Sequence, residues 1–215
     1  MGAGVRAIMA FEIWIAFVLA SLVLLAIPGP TVMLVVSYAL GRGRASAWVT
    51  VPGVAFGDLT AMTASLLGAG AILSASATMF TVLKLVGAAY LIWLGVQLWR
   101  AKPSLDGMEG EKFATAGRGQ MFWNSYVVTA LNPKSILFFV TFVPQFIDSQ
   151  RPLVMQLVIL EVTFVSLAAL SLVLWALLAG ELHARFKRPA TMRLTNRLGG
   201  SFLIAAGVLA ATLRR

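Results

Sequence analysis

Six stretches of this chain, at about residues 12–40, 47–73, 79–99, 121–146, 153–180 and 198–213, are apolar over the length of a membrane crossing. A helix of roughly 20 such residues spans about 30 Å of hydrocarbon, so the runs predict an all-α, polytopic membrane protein with six transmembrane helices. With 60% hydrophobic and only 12% charged residues and a mean hydropathy of +0.89, the chain is far greasier than a soluble domain. The first run is too long for one straight span. It carries "PGP" at 28–30, where a helix should be smoothest, and the fourth run carries "NPK" at 132–134.

A net charge of +9 invites a nucleic-acid partner, but Lys and Arg lie in short clusters between the apolar runs instead of on one face. Such clusters set membrane orientation. The first, third and fifth loops hold eleven of them: Arg42, Arg44, Arg100, Lys102, Lys112, Arg118, Arg185, Lys187, Arg188, Arg193 and Arg197. The opposite side holds four, Arg6, Arg151, Arg214 and Arg215, of which the terminal pair pulls mildly the other way. The bias places both termini outside the cytoplasm. Cysteine is absent, which excludes disulfides, thiolate metal sites and cysteine nucleophiles. The opening "MGAGVR" lacks the Ser or Thr of a myristoylation signal, and no small-residue cleavage site follows the first run, so neither a lipid anchor nor a cleaved leader is expected.

The spans fall into two halves. "GAAYLIWLG" at 87–95 matches "GGSFLIAAG" at 199–207 at both glycines and at Leu-Ile, the two proline breaks lie 104 positions apart, and Asp58 and Glu161 lie 103 apart. Three matches in order predict two three-helix repeats, residues 1–99 and 121–215, joined by a polar cytoplasmic linker at 100–120. An odd number of spans per repeat inverts the second half in the bilayer, the plan of transporters whose site lies at the midplane between broken helices.

Proline has no N–H, so Pro28 and Pro30 should free the carbonyls of Leu24 and Ala26, and Pro133 that of Thr129. Beyond each break a half-helix begins near Thr31 or Lys134, its first N–H groups partly positive. Acceptors on one side and donors on the other suit a zwitterion, whose ammonium would meet the carbonyls and whose carboxylate the half-helix start; ordinary proline kinks are the plain alternative. Lys134 stands near a span centre, where a cation costs about 2.5–3.5 kcal/mol. It would complement a substrate carboxylate or pair with Asp58, which lies roughly 16 Å into the second span by helical rise. Asp58 in turn would bind an ammonium, carry a proton, or only fix packing with Lys134. Glu161, roughly 12 Å into the fifth span, is a second proton carrier or an acid facing a polar cleft without a role. Lys84, near a span end, snorkels. Gly53, Gly57, Gly87, Gly95, Gly199 and Gly207 mark close helix contacts. Trp93 and Trp99 read as interfacial or core residues and His183 as solvated.

At these residues the sequence resembles the LysE/RhtB family of amino-acid exporters. The resemblance rests on "PGP" at 28–30, "GVAFGD" at 53–58, "LKLVGAAYLIWLG" at 83–95, "LNPKSILFFVTFVPQF" at 131–146 and "NRLGGSFLIAAG" at 196–207, and so covers almost the whole chain. Ser125 departs from it, standing where a glycine is expected. The resemblance implies a bacterial inner-membrane exporter of small amino acids or derivatives, of threonine, homoserine, leucine or lysine type, driven by proton antiport. On that reading Pro28, Gly29, Pro30, Asn132, Pro133 and Lys134 bind substrate, and Asp58, then Glu161, couples protons. The partners are an amino acid, protons and lipid, with no nucleic acid and no cofactor, and a homo-oligomer is compatible. The rivals are a metal-cation exporter, which zero cysteines and one loop histidine disfavour for soft metals, and a non-transport membrane structural protein. An intramembrane enzyme would want a histidine in a span, and none has one.

Overall fold

The computed structural model describes residues 8–101, 114–148, 151–181 and 189–212, which contain helices and no strand. Arg6, Lys102, Lys112, His183, Arg185, Lys187, Arg188, Arg214, Arg215 and the Lys84 side chain lie outside the described residues. The helices are α1 (Phe11–Ala26), α2 (Pro30–Arg42), α3 (Ala47–Ala75), α4 (Ala77–Arg100), α5 (Arg118–Ala130), α6 (Pro133–Thr141), α7 (Leu153–Leu177) and α8 (Pro189–Thr212).

Both expected breaks are present and follow one grammar. Helix α1 stops where Ile27, extended ahead of Pro28, cannot easily stay helical. Gly29 is then the extended N-cap and Pro30 the first residue of α2, a position where the missing N–H costs nothing. In the second break Asn132 is the extended N-cap, its side chain accepting from the Lys134 N–H at 3.1 Å, and Pro133 opens α6. The axes bend by 55° between α1 and α2 and by 43° across the second break. By length and hydropathy α3 and α7 qualify as membrane spans, and each bent pair qualifies when taken as one span. Two to four of the six expected spans are thus supported, while α4 and α8 stand where the third and sixth were expected.

Two boundaries depart from expectation. The polar connection at 74–78 shrinks to Ser76, whose hydroxyl accepts from the Met79 N–H and caps α4. The basic stretch 189–197, expected as loop, is the first part of α8. A scan for apolar length stops at its arginines, yet a polar helix end is stable where it leaves the hydrocarbon: Arg197 lies over the Trp99 ring, 5.4 Å from its centroid.

The packing is crossed. Helices α1 and α2 pack on α7, α5 and α6 pack on α3, and α4 pairs with α8, so each broken helix leans on the long helix of the other half. Glycines set these approaches. A Cβ on Gly57 would stand 2.8 Å from the Tyr126 carbonyl, one on Gly95 2.6 Å from the Gly200 carbonyl, and one on Gly207 2.7 Å from the Ala88 carbonyl. Ser125, at the position where a glycine is expected, is fully buried opposite Gly53 with its hydroxyl unpartnered. Among the described residues three apolar clusters form the interior, the smallest being Tyr38, Ala116 and Met121. The largest is rich in aromatic rings, with Phe17, Phe138, Phe139, Phe142 and Phe164 beside aliphatic residues such as Leu24, and the second gathers Val32, Val35, Val36, Val54, Leu172 and Ala176. Large apolar side chains such as Trp48, Leu67, Leu131 and Val154 point outward, as a lipid-facing surface requires.

Candidate functional site

The two breaks, about a hundred residues apart in sequence, meet. Asn132 donates through its side-chain amide to Thr31 Oγ1 at 3.3 Å, which in turn lies 3.2 Å from Thr129 Oγ1. Lys134 reaches further: its Nζ donates to the Leu24 carbonyl at 3.2 Å and the Ile27 carbonyl at 3.0 Å. Leu24 is one of the acceptors that Pro28 was expected to free, although its carbonyl also accepts from the Ile27 N–H at 3.3 Å. The second acceptor is Ile27, not Ala26, because the chain turns extended at Ile27 and aims that carbonyl inward. The Thr129 carbonyl is not free either, since the Asn132 N–H bonds it at 3.0 Å. The end of a helix often tightens its last turn in this way and catches a carbonyl from within.

Around this junction lies a cavity of about 30 Å³, room for a single water. Gly29, Thr31, Asp58, Asn132, Lys134 and Ser135 bring its polar groups, with Ser171 from α7; Leu24 and Phe164 of the aromatic cluster and Val32, Val54 and Leu172 of the aliphatic one close its walls. The prolines do not line it. Pro28, Pro30 and Pro133 act through the backbone: they aim carbonyls and half-helix N-termini, while Gly29 leaves the space that Lys134 fills. A Cβ added at Gly29 would come within 3.3 Å of Nζ.

Asp58 is 4% exposed and faces this cavity from α3. Among the described residues no ion pair joins it to Lys134, the salt bridges being Arg44–Glu181 and Arg151–Asp148. Lys134 is thus held directly by carbonyls, while Asp58 faces the same cavity and attracts its charge from beyond salt-bridge distance. Glu161 is not brought to the cavity. It accepts a hydrogen bond from Thr63 Oγ1 of α3 at 2.5 Å, further along the α3–α7 contact. Sequence reasoning named Thr31 only as a half-helix start, without its hydroxyl, and missed Ser135 and Ser171. Thr31 and Ser135 directly follow the break motifs and were legible as first-turn hydroxyls; Ser171 is one hydroxyl in a greasy helix, with no local signal. Among the described residues no group of three His, Asp or Glu side chains gathers as a metal site would need.

Interhelix hydrogen bonds flank the junction on two sides. On one side the Asn124 amide donates to the buried Tyr38 hydroxyl at 2.9 Å, Arg42 donates to the Ala114 carbonyl at 3.1 Å, and Arg44 meets Glu181 at 3.3 Å. On the other, Trp14 Nε1 donates to Thr163 at 3.1 Å above the phenylalanine cluster. A larger groove of about 690 Å³ runs outside, between α3 and the second broken helix; it is lined by Ala64, Gly68, Val127 and Leu131 and contains none of the predicted site residues.

The chain is 34% identical over 206 residues to a homoserine/homoserine lactone efflux protein of Salmonella typhi, covering 96% of this chain and 99% of that one. It is 31% identical to an uncharacterized membrane protein of Vibrio cholerae, over 96% of this chain and all of the relative. A leucine efflux protein of Salmonella choleraesuis is 27% identical over 136 residues, 63% of this chain and 64% of that one. No solved structure matches significantly. The family profile described as LysE type translocator matches residues 22–214, so that the chain, broken helices and all, belongs to the LysE family.

Proposed function

We propose that this protein exports a small amino acid or close derivative across the bacterial inner membrane by alternating access, in antiport with protons. The observation that carries the reading is the junction of the two breaks: carbonyls at the end of α1, half-helix starts at Thr31 and Lys134, and the carboxylate of Asp58 beside one cavity. A zwitterion needs acceptors for its ammonium and donors for its carboxylate, and broken helices supply both without an unpaired charge in the membrane. The relatives' names, homoserine, homoserine lactone and leucine efflux, agree with a small substrate. The cavity, at about 30 Å³, is too small for an amino acid, so substrate entry requires it to widen. The reading is tested by loading proteoliposomes with a panel of labelled amino acids. At least one small amino acid should leave faster when a proton gradient is imposed, and transport of none would overturn it.

The same reading includes six spans in two inverted repeats, with both termini outside. The crossed packing, with each broken helix on the long helix of the other half, supports the two-repeat part of it. Orientation is checked by labelling. Ser76 caps α4, so the exposed neighbour Thr78 is the better probe. In a chain without native cysteine, Thr78→Cys in intact cells should react with a membrane-impermeant maleimide from outside. Labelling only after the inner face is exposed would reverse the orientation.

A further inference from the structure

Lys134 is placed unlike a structural membrane lysine. An acid, Asp58, shares its cavity, yet its ammonium rests on two neutral carbonyls at the C-terminal end of α1, that of Ile27 and that of Leu24, which the Ile27 N–H also shares. That is the negative end of the helix dipole, a seat for a cation. Gly29 makes the seat roomy enough, with Nζ and Cε within 3.3 and 3.6 Å of where a side chain would begin. The lysine itself comes from the other break. The cavity beside it takes one water. An amino acid cannot reach those carbonyls while Lys134 occupies them.

We infer that Lys134 is a tethered stand-in for the substrate's ammonium: it fills the carbonyl seat of the empty carrier and is displaced when an amino acid binds. This rests on the proposed transport of zwitterions and adds how the site selects them. An α-amino acid brings both charges. Its ammonium replaces that of Lys134 on Leu24 and Ile27, and its carboxylate gives the displaced lysine a new partner, so no ion is left alone in a dry site. An amine without a carboxylate displaces Lys134 and returns nothing. Lys134 thereby selects for the carboxylate, and it closes the empty carrier with a charge of its own.

The seat can be read without transport. In Lys134→Ala it is vacant, so ethylammonium should raise the melting temperature of the purified variant, by about 3–6 °C at about ten times its Kd. The parent, whose seat is filled, should show no such rise, and tetramethylammonium, which has no N–H to donate, should stabilise neither. No rise in the variant, or an equal rise in the parent, overturns the inference. Should the alanine variant not survive purification, recovery in ethylammonium but not in tetramethylammonium supports the seat; failure with and without the amine, shared by Lys134→Met, counts against it. Selectivity is the second readout. Leucine should bind the parent more tightly than leucine methyl ester, and in Lys134→Met the ratio should move toward the ester by about tenfold, as loss of one charge-assisted contact implies. An unchanged ratio, as when a displaced lysine simply falls back on Asp58, overturns it. A parent that binds neither compound would count against the proposed transport function, while the ethylammonium shift still reports on the seat.

Discussion

Asp58→Asn should reduce proton-driven uphill export to background while exchange of amino acid for amino acid continues within a few-fold of the parent rate. Asp58 is buried at the cavity wall and has no ion-pair partner among the described residues. A carboxylate buried there without a direct partner is costly, and the charge of Lys134 across the cavity offsets only part of that cost. The group is therefore comfortable when it holds a proton or faces a closer cation. A residue that alternates between those two conditions, beside a site whose occupant is itself cationic at one end, is suited to exchanging one for the other. Asparagine copies the shape and neutrality of the protonated acid but cannot release the proton. The variant is therefore fixed in one half of the cycle, and a gradient gives it nothing to couple to. It should also fold, because Lys134 keeps both of its carbonyl acceptors when Asp58 is neutralised. The measurement is accumulation in energised vesicles beside counterflow in de-energised ones, and uphill export equal to the parent's would remove Asp58 from the coupling. Glu161→Gln is the natural control. Its partner Thr63 lies away from the cavity, and glutamine still accepts that hydrogen bond.

The sequence revealed the breaks because proline and glycine act locally. Extended backbone ahead of Pro28, Gly29 as N-cap and Pro30 at the helix start are consequences of missing atoms, readable wherever they occur. The close helix contacts were legible for a related reason, since only glycine at positions such as 57, 95 and 207 lets two backbones approach. The destination of Lys134 was not legible. Local chemistry offered it an acid or a carboxylate, and only the tertiary meeting of the two breaks supplies a pair of carbonyls 107 and 110 positions away in sequence. Ser171 was hidden similarly, being placed on the cavity by the rotation of α7. The start of α8 was missed because length of apolar run measures immersion in lipid, and a helix continues beyond the lipid without it.

A variant with Pro28→Ala, Gly29→Leu and Pro30→Ala should lose amino-acid binding by about a hundredfold or more, and the reason lies in Lys134's partners. In a continuous helix the Leu24 carbonyl accepts from the N–H of position 28 and the Ile27 carbonyl from that of Thr31. Both acceptors of the cation seat are thereby consumed by backbone, and the free N–H groups at the start of α2 disappear with them. Two hydrogen bonds to a charged group contribute about 1.5–3 kcal/mol each, which sets the size of the loss. Stability should not simply rise with helix propensity. Removing two prolines and a glycine favours the straight helix by several kcal/mol, but it strands the ammonium of Lys134, which is costly by a similar amount. Adding Lys134→Met to the triple variant removes that stranded charge, so the quadruple variant should melt above the triple one while binding amino acids no better. Calorimetry and thermal unfolding on the purified proteins measure both quantities. A folded triple variant with unchanged affinity would leave the breaks as packing kinks; equal melting of triple and quadruple variants would mean that Lys134 had found another partner.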